Sequence, residues 1–304
     1  MSSSSTAEAA IAHRDTARST HGTLRQRLEA RAFAAYKQVY QLVRWPGTGQ
    51  PKSVLLIVGC QRSGTTLMKR MFDRDLRAAV YGEFSRLSSG DKQGRIRLNP
   101  LPEVAAAIAQ DHAPLVVMKP LVETQNLLGL LRFFPGSKAV FMFRHYRDVA
   151  ASDLKRWGLR NGIDNLRPIA RNEPGNWRSE RVPDEVRELV AQRFSEDMNP
   201  HDAAALFWYV RNRLFFDLGL EHLRAVLPLR YESLVGDPVA MMERVYDHVG
   251  LRGPMEDQIR DVHGASVNKG AGLEISPDVQ ALCAGLNERL DAVFMQRLAH
   301  TGEA

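Results

Sequence analysis

The sequence predicts an α/β fold, a P-loop-like doubly wound parallel sheet flanked by helices, and three observations predict it. Val54–Val58, Leu115–Met118 and Ala139–Phe143 are short, unbroken apolar runs, the pattern of strands buried on both faces of a parallel sheet. Helical periodicity follows each of them, from about Thr65, Gln125 and Asp148, so strands and helices alternate. The first run also leads straight into Gly59-Cys60-Gln61-Arg62-Ser63-Gly64-Thr65-Thr66, a glycine-bounded loop between strand and helix.

The elements follow in order. Residues 1–20 are small and polar without a period, the composition of a disordered tail. Leu24, Leu28, Phe33, Tyr36, Tyr40 and Val43 recur every three to five residues and predict a helix within an N-terminal extension over 21–50. Its simplest role is to pack an apolar side on the main domain. The arginines between those positions also suit peripheral membrane contact through residues 21–46. Trp45-Pro46-Gly47 and Gly49-Gln50-Pro51 punctuate the chain, so the main domain is expected over 51–304. In its first helix Leu67 pairs with Met71, and Met68 with Phe72. The second helix, Gln125–Phe134, stops at Pro135-Gly136. Residues 158–200 hold Pro168, Pro174, Gly175 and Pro183 and read as a loop followed by a helix near Asp184–Phe194. A long helix over Ala203–Leu227, a short strand at Leu229–Tyr231 and helices near Pro238–Val249 and Pro277–Leu298 complete the chain.

With 304 residues, 44% hydrophobic and 25% charged, the chain is long and apolar enough to bury a core. A formal charge of +6 favours anionic partners. Cys60 and Cys283 form neither a disulfide framework nor a CxxC site and fit a reducing, cytoplasmic setting. No apolar run has the length of a transmembrane helix, and no secretory signal opens the sequence. The histidines lack metal-binding spacing, and no DNA- or RNA-binding motif is present, so nucleic acid is not an expected partner.

The N–H groups of the glycine-bounded loop and the positive end of the helix behind it can cradle an anion. Its glycines have the GxxxxG spacing of a nucleoside-triphosphate loop. The Lys and Ser/Thr that should follow are replaced by Thr65-Thr66, and the positive charge comes from Arg62. The two later strands end in Lys119 and Arg144, where a magnesium site would want an acid. This pattern points to an anionic ligand bound without metal. The alternatives are a Mg-dependent P-loop kinase or nucleotide hydrolase, and a non-catalytic anion- or nucleic-acid-binding module.

Arg144 ends the third strand and Ser152 lies eight residues on, a pair that can meet one phosphate beside the sheet. Here the chain resembles the sulfotransferases that use 3′-phosphoadenosine-5′-phosphosulfate (PAPS), over about residues 53 to 270. It is closest in flavour to their tyrosylprotein and related bacterial branch. Gln61–Thr66 looks like the family's 5′-phosphosulfate loop, and Arg144 with Ser152 matches its 3′-phosphate pair in order and spacing. Arg230-Tyr231-Glu232-Ser233-Leu234 with Asp237-Pro238 looks like a recurrent downstream segment, in which Tyr231 and Glu232 are read as structural. Trp208 and Asn212 also resemble family positions.

The resemblance implies sulfuryl transfer from PAPS, as co-substrate and without metal, to a hydroxyl acceptor, with an amine as the lesser alternative. It implies that Arg62, Ser63, Gly64, Thr65, Thr66, Arg144 and Ser152 bind the nucleotide. Lys269 joins them through the loose match of Ser266-Val267-Asn268-Lys269-Gly270 to the family's C-terminal loop. Arg62 and Lys119 would be catalytic cations. Cytosolic small-molecule members carry a His just after the second-strand lysine, and Lys119-Pro120-Leu121-Val122-Glu123 has none. The base is therefore Glu83 or Glu123. Gly82-Glu83, at the distance seen in the bacterial branch, favours Glu83. A small molecule, carbohydrate or lipid is the expected acceptor, with residues 84–113 and 158–200 expected to line its pocket.

Overall fold

The computed structural model describes residues 24–47, 49, 52–254, 256–259, 262, 264 and 266–299. The tail expected over 1–20 lies outside them. In chain order the elements are α1 (Leu24–Arg44), β1 (Ser53–Gly59), α2 (Thr65–Asp73), β2 (Ala78–Tyr81), β3 (Ser88–Gly90), β4 (Ile96–Leu98), α3 (Leu101–Ala109), β5 (Leu115–Met118), α4 (Leu127–Phe133) and β6 (Lys138–Phe143). They continue with α5 (Tyr146–Trp157), α6 (Asn161–Ala170), α7 (Asp184–Arg193), α8 (Pro200–Asp217), β7 (Val226–Arg230), α9 (Tyr231–Gly236), α10 (Pro238–His248), α11 (Glu256–Ile259) and α12 (Pro277–Ala299). A 3-10 turn, Leu121–Asn126, joins β5 to α4.

The main sheet has the order β2-β5-β1-β6-β7, every pair parallel. The three apolar runs of the sequence are its three inner strands. Leu55, Leu56, Ile57 and Val58 of β1 have no solvent exposure, as a strand covered on both faces requires. After β1 the chain lays β2 and β5 on one side of it and then crosses over to lay β6 and β7 on the other, so the strand order reverses at β1. That reversal opens a crevice beyond the carboxyl end of β1, where the glycine-bounded loop lies.

Several expectations are corrected. The long helix ends at Asp217, ten residues early, because Gly219 takes φ 62° and stops it. The apolar period runs on through Leu220 and Leu227, which belong to a 3-10 turn and to β7. The short strand is Val226–Arg230; it accommodates Pro228 because β7 is an edge strand. The segment 158–200 is less loop-like than expected: it contains α6, with Pro168 inside it, and α6 packs on α7 and α8. The sequence reading also missed β2, the β3–β4 hairpin and α3, which are short and only partly buried.

The N-terminal helix departs most in packing. Lys37 Nζ donates to the carbonyls of Phe72 (3.3 Å) and Asp73 (2.9 Å), and Gln41 Nε2 to those of Leu76 (2.9 Å) and Ala78 (3.1 Å). Polar side chains therefore tie α1 to the rest of the fold, while Leu28, Phe33, Tyr36 and Val43 are exposed. No helix of the described residues is long and apolar enough to cross a membrane.

Candidate active site

β1 delivers the chain into the loop, and packing forces glycine at two of its positions. Gly59 has φ 127°, and a Cβ there would lie 2.1 Å from the Met142 carbonyl oxygen. Gly64 has φ 90°, and its Cβ would lie 2.4 Å from the ring of Tyr231. Gly64 is also the N-cap of α2 and, lacking a side chain, does not cap the first N–H groups of that helix. Those groups are left to face the crevice, with the positive helix end behind them. Thr124 Oγ1 accepts from Gly59 N at 3.2 Å and pins the loop from below. Ser63 Oγ is buried without a hydrogen-bond partner among the described residues.

The end of β6 supplies the second wall. Arg144 is buried and pairs with Asp148 (3.3 Å), and its guanidinium lies 4.4 Å from the centroid of the Tyr231 ring. It donates to the carbonyls of Arg62 (3.4 Å) and Ser266, while its Nε has no partner among the described residues. Trp208 Nε1 donates to the Arg144 carbonyl at 2.9 Å. Asp148 accepts from the N–H groups of Asn268 (2.8 Å) and Gly270 (2.9 Å), which brings the loop carrying Lys269 against this wall. Ser152, on α5, accepts from Arg62 Nε at 3.0 Å. Glu232 Oε1 accepts from His145 N at 3.0 Å at the start of the same helix. Burial lowers the pKa of the His145 imidazole, against the opposing pull of Glu232 and Asp148.

The ends of β2 and β5 form the third wall. Lys119 Nζ donates to Glu83 Oε2 (3.0 Å) and to Thr66 Oγ1 (3.3 Å), and the Lys119 backbone N–H donates to the Tyr81 carbonyl (2.9 Å). Lys119 and Glu83 are largely buried, with side chains 8% and 17% exposed. The other candidate carboxylate is engaged elsewhere. Glu123 accepts from Arg97 Nε (2.7 Å), Arg97 Nη2 (3.1 Å), Leu98 N (3.2 Å) and Asn126 Nδ2 (2.8 Å), fastening the β3–β4 hairpin to the 3-10 turn.

Sequence reasoning missed one group behind the loop. Arg211 on α8 has no exposure, bonds Gln125 Oε1 through Nη1 and Nη2 (both 3.2 Å), and lies 5.1 Å from the Trp177 ring centroid. No carboxylate among the described residues forms an ion pair with it, and burial pushes its pKa down to about 10. Its neighbour Cys60 is pushed up to about 12, chiefly by burial. The available signal was an arginine in a helix whose other positions are apolar almost all round.

An open cleft of 1480 Å³ lies between α1, α2 and the edge strand β2, lined in part by Phe33, Leu67, Arg70, Arg74, Tyr81 and Arg86. Tyr81 is two residues before Glu83. Arg86, Gln110 and Asp111 contribute from the expected segment 84–113, but no residue of 158–200 lines this cleft. Glu180 of that segment instead braces Arg97 (3.1 Å), Gln125 (2.9 Å) and Asn126 (3.1 Å).

A parallel sheet with a glycine-forced loop at its switch point and cationic strand ends defines a P-loop-like α/β protein. A profile described as the sulfotransferase family matches residues 99–257, more than half of the chain, and the chain belongs to that family. It is a sulfotransferase, an enzyme of sulfuryl transfer. The matched span includes Lys119, Arg144, Ser152 and Tyr231; the glycine loop and Glu83 precede it.

The fold is that of the sulfotransferase domain of the Synechococcus PCC 7002 olefin synthase, with 17% identity over 81% of this chain and 97% of that one, at a TM-score of 0.50. The sulfotransferase from Alicyclobacillus acidocaldarius is similar at 14% identity (81% and 96% covered, TM-score 0.45). The sulfotransferase STF9 from Mycobacterium avium is similar at 14% identity (86% and 81% covered, TM-score 0.44). No curated protein sequence matches the chain.

Proposed function

We propose that this sulfotransferase uses PAPS as donor and transfers its sulfuryl group to the hydroxyl of a small-molecule, carbohydrate or lipid acceptor, without a metal. The observation that carries this reading is the convergence of Lys119, Glu83 and Thr66 at the open end of the glycine loop. The residues also suit a nucleotide with phosphates at both ends. Ser63 Oγ and Arg144 Nε are buried polar atoms without hydrogen-bond partners among the described residues, on the two sides of the cradle. The loop N–H groups with Arg62, Ser63, Thr65 and Thr66 would hold the 5′ end, and Arg144, Ser152 and Lys269 the 3′-phosphate.

In the reaction, a bond forms between the acceptor oxygen and sulfur while the bond from sulfur to the bridging phosphate oxygen breaks in line. The acceptor's proton passes to Glu83 as general base. The released nucleotide is 3′-phosphoadenosine-5′-phosphate. Charge growing on the departing oxygen is met by Lys119, Arg62 and the loop N–H groups. Glu83 is favoured over Glu123 because Glu123 already accepts four hydrogen bonds within the fold.

The first test is calorimetric titration with 3′-phosphoadenosine-5′-phosphate, ADP and ATP, with and without Mg²⁺. Tight binding that needs the 3′-phosphate and ignores a chelator is expected. ATP binding that needs Mg²⁺ and is indifferent to the 3′-phosphate would overturn the donor assignment. Glu83→Gln is expected to lower turnover by at least roughly 10²-fold while sparing nucleotide affinity. Near-normal turnover in that variant would remove Glu83 as the base.

A further inference from the structure

Thirteen large apolar side chains are exposed among the described residues, and six of them lie on the single helix α1. They are Leu28 (56% exposed), Phe33 (38%), Tyr36 (56%), Val39 (60%), Leu42 (50%) and Val43 (75%). At about 100° per residue, Leu28, Val39 and Val43 share one face, with Tyr36 and Leu42 beside them. Lys37 and Gln41, which donate to the carbonyls of Asp73 in α2 and Ala78 in β2, point roughly the opposite way. The helix thus grips the fold with its polar side and turns its apolar side to solvent. A surface helix that served only to cover the core would do the reverse.

Phe33, Tyr36, Tyr40 and Trp45 form a chain of ring contacts along one flank, with centroids 6.4, 6.2 and 6.0 Å apart. Three of these rings carry a polar tip, the kind of side chain that settles between hydrocarbon and water. Arg31 is exposed at one edge of the apolar stripe, while Arg44, also exposed, lies on the side of Lys37 with its guanidinium 5.6 Å from the centroid of the Trp45 ring.

We infer that α1 docks the protein on an anionic membrane surface, with its outward apolar face in the headgroup layer. Charge selects this occupant over a second copy of the chain. Residues 1–46 carry seven Lys and Arg side chains against three acidic ones. Pairing two such segments would bring like charges together, whereas acidic phospholipid headgroups complement them. The docking is monotopic: apolar burial and headgroup attraction act together, so each is necessary.

The test is co-sedimentation of the full chain with vesicles of phosphatidylcholine, alone or mixed with phosphatidylglycerol. Binding to the mixed vesicles is expected, with loss at high salt as the charges are screened. The double variant Val39→Asp with Val43→Asp should bind at least about tenfold less while keeping a cooperative urea unfolding transition, which shows that it is folded. In the unaltered protein, brominated lipid should quench tryptophan emission, and Trp45→Phe should remove that quenching. Failure to sediment with mixed vesicles overturns the inference. So does a dimer in solution that the double variant dissociates, because a second copy then covers this face. None of these outcomes depends on the identity of the sulfuryl donor.

Discussion

At the scale of residues, the site is held by side chains that contact one another. Arg144 is fixed by Asp148, by the Tyr231 ring and, through its carbonyl, by Trp208. Tyr231 also packs against Gly64, so one aromatic ring sets the distance between the loop and the Arg144 wall. Asp148→Ala removes the partner of a buried guanidinium and two acceptors for the Lys269 loop. It is expected to destabilise the protein by about 3 kcal/mol, read from the urea midpoint. Arg144→Lys keeps a charge but loses the fork, and should lose most of the preference for 3′-phosphorylated nucleotide in calorimetry. Arg211 is a different case, a buried charge behind the loop without a carboxylate contact among the described residues. Arg211→Met should leave stability unchanged or higher while weakening nucleotide binding roughly tenfold, since a long-range attraction of this size is lost. Equal loss of stability and affinity would instead mark Arg211 as a packing residue.

At the scale of elements, α2 and α1 show two uses of a helix. The start of α2 has no side-chain cap from its N-cap residue, Gly64. Gly64→Ala should abolish nucleotide binding in titration, since the new Cβ meets the Tyr231 ring and the backbone at φ 90° resists a side chain. The anchoring of α1 is linked to pH through Lys37, whose pKa burial lowers to about 8 from 10.5 despite the attraction of Asp73 and Asp75. Below about 8 the ammonium is charged in both folded and unfolded chains, and its burial cost is fully present. Between about 8 and 10.5 the folded protein has released the proton and the unfolded chain still holds it. Stability therefore gains a contribution that rises with pH across that window. Urea midpoints should show the rise in the native protein and lack it in Lys37→Met.

At the scale of the whole molecule, the parallel sheet converts sequence-distant positions into one crevice. The glycine loop, Lys119, Arg144 and the Lys269 loop come from β1, β5, β6 and the stretch before α12, and all reach the reversal point of strand order. A ligand that binds here binds only the folded chain. Saturation with 3′-phosphoadenosine-5′-phosphate at about 100 times its Kd should raise the unfolding free energy by about 2.7 kcal/mol, measured by denaturation with and without chelator.

The sequence by itself determined the α/β class, the three inner strands and the glycine loop, because an apolar run with a glycine boundary is a local pattern and needs no knowledge of neighbours. It also marked Lys119 and Arg144, since strand ends are positions that the pattern locates. Tertiary structure alone decided the rest. The carboxylates Glu83 and Glu123 are alike in one dimension and differ only in what surrounds them: the Lys119 ammonium for one, a closed set of donors for the other. The helical period of α8 runs past its end because Leu220 and Leu227 keep the spacing, and only the left-handed Gly219 and the pairing of β7 with β6 break it. The outward turn of α1 follows the same logic. Periodicity shows that a helix has two faces, but which of them meets the fold depends on the partners available, here the carbonyls of Phe72, Asp73, Leu76 and Ala78.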